Sequence, residues 1–371
     1  MRIIIAGGGT GGHIYPGLAI ADKFMEEDGN EVLFLGTSRG MESKLVPDNG
    51  YAIRYINASG IDRRNPFKNF KFIKDYVTGH KQATKIIKEF KADAVIGTGG
   101  YVSGAVVSAA SKMKIPTFVQ EQNMFPGMAN RTLEKKVLKV FLGFKGASKY
   151  FKEAEKHVVS GNPISARFED LEQIKCREKI GIDSEKFMIL IVGGSLGAQK
   201  INECALDIMK AFKNSKNVEI VVVTGKAYYE DMERYLKELK EGLSVPENNY
   251  YRNVTLIEYT NSMENYMGSA DLIIGRSGAL TVSELAFLGK PSIFIPSPNV
   301  TNNHQFHNAE EMANKGAAII VEEKNIGDVL KEVKNMIENE NVYNSLLEKG
   351  QLLKGINGAE IIVEIIKTYV N

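Results

Sequence analysis

The sequence predicts an α/β protein of two tandem domains, each a doubly wound parallel sheet covered by helices. Three observations carry that expectation. Short β-rich runs alternate with helical stretches through all 371 residues. Two of those runs, IIIAGGGTGGH and LIVGGSLGAQ, lead from an aliphatic strand straight into a glycine turn. One block is also repeated: KADAVIGTGGYVSGAVVSAASKMKIPTFVQEQN lines up with SADLIIGRSGALTVSELAFLGKPSIFIPSPN. Each copy reads Ala-Asp, an apolar strand, glycine, a small-residue loop, a helix and a Pro-led strand. The length suits two domains of ordinary size.

In chain order, RIIIA, EVLFLG, YAIRYI, DAVIG, PTFVQ and KVFLG are the strands of the first half. FMILIV, EIVVVTG, VTLIEY, DLIIG, PSIFIP and AAIIV are those of the second. A further strand ends at Gly161, Asn162 and Pro163, so the first domain is expected at 1–163 and the second at 164–354. The final helix, about 355–371, is expected to return to the first domain.

Composition excludes several classes. No stretch reaches about 18 uninterrupted apolar residues, so no membrane-spanning helix is expected. The chain opens on its first strand, MRIIIA, with no secretory leader expected. Cys176 and Cys204 match no metal or redox spacing and read as buried thiols in a reducing cytoplasm. The net charge of +2 hides an asymmetry: 24 Lys/Arg against 15 Asp/Glu in residues 1–163, and 23 against 30 in the remainder. The basic half should prefer an anionic partner.

Gly7, Gly9 and Gly12 satisfy the spacing G-x-G-x-x-G. A dinucleotide site would also want a carboxylate ending the second strand, and Gly36-Thr37 stands there instead. No Gly-Lys-Ser/Thr follows, which excludes a P-loop. What remains is a loop through which backbone N–H groups and a helix N-terminus can approach a diphosphate. Gly193, Gly194, Ser195 and Gly197 form a second such loop. Two of them imply two phosphate-bearing ligands.

The motifs GGGTGGHIYPGLAIA, IGTGGYVSGA, EQNMFPGMANR, SGNP, GGSLGAQKIN, GRSGALTVSELAFLGKPSIFIP and HQFHNAE occur in this order across nearly the whole chain. Together they resemble the bacterial peptidoglycan glycosyltransferases that make lipid II from lipid I, a family of GT-B fold. The resemblance implies a metal-independent, inverting transfer of N-acetylglucosamine from UDP-GlcNAc to the 4-hydroxyl of MurNAc in undecaprenyl-diphospho-MurNAc-pentapeptide. It implies no cofactor, and cell-wall synthesis proteins as partners. A lipid-glycosylating relative with another acceptor, a UDP-sugar isomerase of the same architecture and a non-catalytic UDP-sugar-binding adaptor are the alternatives.

The resemblance also distributes roles. Ser195 meets the donor diphosphate, Glu284 the ribose diol, and Gln305 and Asn308 the acetamido sugar, with Arg276 near the donor. Thr10, Gly11, Gly12 and Asn123 are implied as donor contacts as well. Gly9, Thr10, His13, Tyr101, Gln122 and Asn130 are implied on the acceptor side. His13 is the candidate general base, since a neutral imidazole can take the proton of the attacking hydroxyl. Glu121 is its rival. His304 and His307 lack a third ligand and read as non-metal. Two positions depart from the family pattern: Ile164 and Ser165 stand where an arginine is common after GNP, with Arg167 later, and Gln120 replaces a common histidine.

The lipid acceptor stays in the membrane, so the enzyme is expected to be peripheral on its cytoplasmic face. Residues 61–91 hold nine Lys/Arg and three Asp/Glu. At about 100° per residue, Lys71, Lys74, Lys81, Lys85 and Lys88 form one stripe, with Phe67 and Phe70 beside it. Ile73, Tyr76, Val77, Ala83 and Ile87 form an adjacent stripe expected to face the core. A basic stripe flanked by aromatics suits an anionic membrane surface. No nucleic-acid recognition motif accompanies it.

Overall fold

The computed structural model describes residues 1–60, 69–194, 197–241, 251–355 and 357–370. The chain divides into two compact units, Met1–Ala166 with Ile356–Asn371, and Arg167–Gly355.

The first unit carries a seven-stranded sheet. Its strands are β1 (Arg2–Gly7), β2 (Glu31–Gly36), β3 (Ala52–Tyr55), β4 (Ala94–Gly99), β5 (Thr117–Glu121), β6 (Lys139–Leu142) and β7 (His157–Val159). They are all parallel, in the order β3-β2-β1-β4-β5-β6-β7. The order reverses between β1 and β4, and ligands of such sheets bind in the crevice beyond the strand C-termini at that point. Successive β1 residues point to opposite faces. Ile4 packs with Ala83 and Ile87 of α3 (Asn69–Phe90) and Val102 and Val106 of α4 (Gly100–Lys112). Ile3 and Ile5 pack on the other face with Ile14 and Leu18 of α1 (Gly11–Met25).

That second face is completed by the C-terminal helix α14 (Gly358–Val370). Ile362, Val363 and Ile366 are buried against α1 and β1, each contributing about 1.5–3 kcal/mol. Gly358 is required at the helix start, because a Cβ there would lie 2.5 Å from the Gly161 carbonyl oxygen.

The apolar reading of α3 needs correcting in its first half. Ala83 and Ile87 are buried as expected, but Ile73 is 57% and Val77 49% exposed. They lie between the buried stripe and the lysines, while Tyr76 in the same half is partly buried against the core. Phe67 lies outside the described residues, as does the side chain of Phe70. Lys71, Lys74, Lys81, Lys85 and Lys88 are all exposed.

The second unit carries a six-stranded parallel sheet in the order β10-β9-β8-β11-β12-β13. These strands are β8 (Phe187–Val192), β9 (Val218–Val223), β10 (Val254–Ile257), β11 (Leu272–Gly275), β12 (Ser292–Phe294) and β13 (Ala318–Ile320). The repeated block of the sequence becomes β4-α4-β5 in one unit and β11-α10-β12 in the other, with α10 spanning Ala279–Leu288. Each copy sits beside the strand that feeds a glycine loop. Among the described residues no helix is long and apolar enough to cross a membrane.

Candidate active-site loops

In the first unit, β1 runs into Gly8, Gly9 and Thr10, and α1 starts at Gly11. The Thr10, Gly11 and Gly12 amides head that helix, where no intrahelical acceptor exists for them. Gly9 has φ +90, a conformation that suits glycine. The Tyr101 ring lies against it, 3.3 Å from where a Cβ would stand.

The back of this loop is held by Glu42, which sequence reasoning missed. Its carboxylate is 1% exposed and accepts the Gly9 N–H at 2.9 Å, the Thr37 N–H at 2.8 Å and the Thr37 hydroxyl at 2.8 Å. Burial alone would push this carboxyl up, but the hydrogen bonds from Gly9 and Thr37 outweigh it and hold it below the usual range. The Gly9 amide is therefore spent inside the fold, which leaves the amides from Thr10 onward at the head of α1. The available signal was a helix-starting glutamate in GTSRGMES, directly after β2, 33 residues from the glycine it holds.

His13 sits in the first turn of α1, partly buried. Its Nδ1 lies 3.1 Å from the Gly8 carbonyl oxygen and 3.4 Å from Thr10 Oγ1. A carbonyl oxygen only accepts, so Nδ1 carries the proton and the lone pair falls on Nε2. The ring rests on the glycine pair ending β4. A Cβ on Gly99 would stand 2.5 Å from His13 Cδ2, and one on Gly100 2.5 Å from the Gly8 carbonyl oxygen. Thr98 Oγ1 donates to the His13 carbonyl at 2.7 Å and Ser103 Oγ to the Ala6 carbonyl at 2.7 Å, which joins the ends of β1 and β4.

Glu121 is placed differently from His13. It is 2% exposed, and its oxygens accept the Asn123 and Gly127 amides at 3.0 and 2.9 Å and Asn130 Nδ2 at 2.9 Å. Gln122 and Asn130, expected to line a cleft, are also 2% exposed. Gln122 donates to the Thr98 carbonyl at 2.6 Å and Asn130 to the Gln120 carbonyl at 3.0 Å. Gln120 is fully buried and donates to Asn162 Oδ1 at 2.9 Å, while Asn162 donates back to the Gln122 carbonyl at 3.0 Å. These amides knit the end of β5 to the loop after β7. The same loop holds Ile164, one of the two residues standing where an arginine was expected. Ile164 is 4% exposed, and Asn357 clamps both its N–H and its carbonyl, at 2.9 and 2.6 Å. Arg167 is exposed and belongs to the second unit.

In the second unit, β8 ends at Gly193 and Gly194, and α7 (Gln199–Ala211) follows. Ser195 lies outside the described residues. A Cβ on Gly197, which has φ +80, would fall 2.6 Å from the Thr224 carbonyl oxygen. Asn202 of α7 is buried and donates to that same carbonyl at 3.1 Å, tying the helix to the end of β9.

Across the switch point, β11 delivers Arg276 and Ser277. Arg276 donates to the Ile295 carbonyl at 2.9 Å and pairs with Glu323. Asn308 of α11 (His304–Ala313) is fully buried and donates to the Ser277 carbonyl at 3.3 Å, so it braces the site rather than presenting an amide to solvent. Gln305 is partly buried and accepts the Ser297 amide at 2.9 Å; its NH₂ makes no hydrogen bond among the described residues. His304 bonds the Thr301 carbonyl and His307 the Glu310 carboxylate.

Glu284 of α10 makes no hydrogen bond or ion pair among the described residues. It keeps some accessible surface, yet burial pushes its carboxyl up to about 7. The folded state thus binds a proton more tightly than the unfolded chain, and stability is lost as pH rises from the ordinary carboxylate range through about 7. Glu284→Gln cannot ionise. At pH 8 it is expected to melt above the native protein, by on the order of 2 kcal/mol in stability, with the advantage gone at pH 4. Equal melting differences at both pH values would show that the native carboxyl carries no such strain.

Comparison with known proteins agrees with this layout. The glycosyltransferase family 28 N-terminal domain matches residues 3–142 and the family 28 C-terminal domain residues 188–354. The UDP-N-acetylglucosamine--N-acetylmuramyl-(pentapeptide) pyrophosphoryl-undecaprenol N-acetylglucosamine transferase of Acetivibrio thermocellus is 41% identical over 99% of this chain and 98% of its own. That of Alkaliphilus oremlandii is 40% identical over 97% and 96%. The crystal structure of Acinetobacter baumannii MurG superposes with a TM-score of 0.75 at 28% identity, covering 99% of both chains. A UDP-GlcNAc 2-epimerase from Neisseria meningitidis shares the fold alone, with a TM-score of 0.71 at 17% identity. Two matched domains and full-length relatives place this chain in glycosyltransferase family 28.

Proposed function

We propose that this chain transfers N-acetylglucosamine from UDP-GlcNAc to the MurNAc 4-hydroxyl of lipid I, with inversion, to form lipid II. Its kinship with transferases so named extends over 99% of its length. The geometric observation that carries the chemistry is His13: an imidazole with Nδ1 committed to the Gly8 carbonyl and the Nε2 lone pair available. Unit 1 is the acceptor domain, its Thr10, Gly11 and Gly12 amides receiving the lipid diphosphate. Unit 2 is the donor domain. The amides at the head of α7, with Ser195, take the UDP diphosphate, Glu284 the ribose hydroxyls and Gln305 the sugar.

In the reaction the MurNAc hydroxyl oxygen attacks the anomeric carbon and its proton passes to His13 Nε2. The bond from that carbon to the UDP oxygen breaks, and UDP leaves with the electron pair. Charge grows on the departing diphosphate, where the α7 dipole stabilises it. Glu121 serves this site as a positioning residue, since its oxygens are occupied by loop donors. An ionised Glu284 suits a vicinal diol because it only accepts. Its raised pKa means that UDP must pull the proton off, so UDP affinity should fall as pH drops below about 7.

The exposed Ile73 and Val77 beside Lys71, Lys74 and Lys81 support α3 as the membrane-docking face, on the cytoplasmic side where the lipid diphosphate would be reached. The test of the activity is radiolabelled UDP-GlcNAc with a water-soluble lipid I analogue. The expected result is a labelled β-linked disaccharide product together with UDP. Epimerised UDP-sugar without acceptor-dependent transfer would replace this reading with an isomerase.

A further inference from the structure

The second unit holds a pocket of about 400 Å³ at the end of its sheet opposite the glycine loop. It opens at the N-terminal ends of β11 and β12, between Ala270 and Pro291, and is walled by Phe168, Leu171, Phe287 and Leu347. The chain enters this unit past Phe168 and leaves it past Lys354 and Gly355, so both connecting segments line the pocket. Sequence reading gave this region no role beyond the apolar strand starts.

Cations outnumber carboxylates here: Lys290 and Lys354 line the pocket with Asp170, and Arg177 lies beside it on Asp271. Lys290 lines it and donates to the Gly268 and Ala270 carbonyls at 2.8 and 2.7 Å, with no carboxylate in ion-pair reach among the described residues. Asp271, close by, is already saturated. It accepts Arg177 at 2.5 Å, Gln173 at 2.8 Å and the Met188 amide at 2.7 Å. That carboxylate is therefore committed to the buried Arg177, and the partly buried Lys290 ammonium is left to the two carbonyls. Burial, opposed in part by Asp271, brings Lys290 down to about 8. A partly buried ammonium held by carbonyls alone carries a desolvation cost, and an anion beside it would relieve that cost.

We infer that this pocket is a binding site for a small amphipathic anion, its carboxylate on Lys290 and its apolar body against Phe168, Phe287 and Leu347. The volume accommodates about a dozen non-hydrogen atoms, taking each as roughly a water's share of about 30 Å³. The lining combines those apolar walls with Gln173, Gln351 and charged groups that can fix a ligand's orientation. The site is separate from the donor loop and requires nothing of the transferase reading.

n-Decanoate and n-decanol are the probes, measured by calorimetry on the full chain below micellar concentration, with and without saturating UDP. Decanoate should bind one per chain, about tenfold or more tighter than decanol, and UDP should not displace it. Leu347→Trp fills the pocket from its rim and should abolish binding while leaving Lys290 in place. Lys290→Met should bring decanoate and decanol to equal affinity. The inference is overturned by equal affinities in the native protein, by competition with UDP, or by unchanged decanoate binding in Leu347→Trp. That last result would assign the uptake to another surface.

Discussion

His13→Ala is expected to lower turnover about 10²–10⁴-fold while leaving UDP affinity nearly unchanged, because it removes a general base from the acceptor unit and nothing from the donor unit. The alternative role for His13 is structural: its Nδ1–H ties α1 to the Gly8 carbonyl, and that tie alone could set the shape of the glycine loop. His13→Asn separates the two. An asparagine amide can donate to the same carbonyl but cannot take a proton at neutral pH. If the proton transfer matters, Asn and Ala are equally slow, and added imidazole restores part of the rate to the alanine variant. If only the tie matters, Asn recovers the native rate and imidazole does nothing. The second outcome would move the search for a base elsewhere. Glu121 would be a poor successor, because using it would require breaking its bonds to the Asn123 and Gly127 amides and to Asn130.

The parts of this molecule legible in the sequence are those with local causes. Aliphatic runs ending in glycine became β1 and β8, and the repeated block became equivalent strand-helix-strand units. The helical spacing of Ile362, Val363 and Ile366 in INGAEIIVEIIKTYV marks an apolar face, but not the sheet on which that face packs. Residues whose role depends on distant partners were misjudged or missed. Glu42 acts on Gly9 through a β-strand pairing that places the α2 helix (Glu42–Asp48) behind the loop, and no short-range pattern announces it. Gln122, Asn130 and Asn308 carry amides that would suit a sugar equally well. Only burial shows that each is occupied by a neighbouring carbonyl. Ile73 and Val77 fail for a related reason. Helical periodicity gives the angle between two stripes, not how deeply each residue of a stripe is packed.

That exposed half of α3 gives the second large effect. Reversing Lys71, Lys74 and Lys81 to Glu should abolish sedimentation with anionic liposomes. Each lysine near such a surface is worth about 1 kcal/mol, so three reversals cost roughly 6 kcal/mol, about four orders of magnitude in binding. These lysines are free to act, since none pairs with a carboxylate among the described residues, whereas Lys85 lies 3.8 Å from Glu89. Binding by the native protein should weaken as salt rises, because attraction between exposed charges decays over a Debye length of about 8 Å at physiological ionic strength. A residue of binding should survive at high salt and be lost in Ile73→Ser/Val77→Ser, since apolar burial is not screened. Both side chains are already about half exposed, so the serine pair should leave the melting temperature close to native. Turnover on a water-soluble acceptor should persist in both variants, because none of these residues belongs to either glycine loop. Liposome binding retained by the triple-Glu variant would make α3 an ordinary solvated helix and place the membrane contact on another surface.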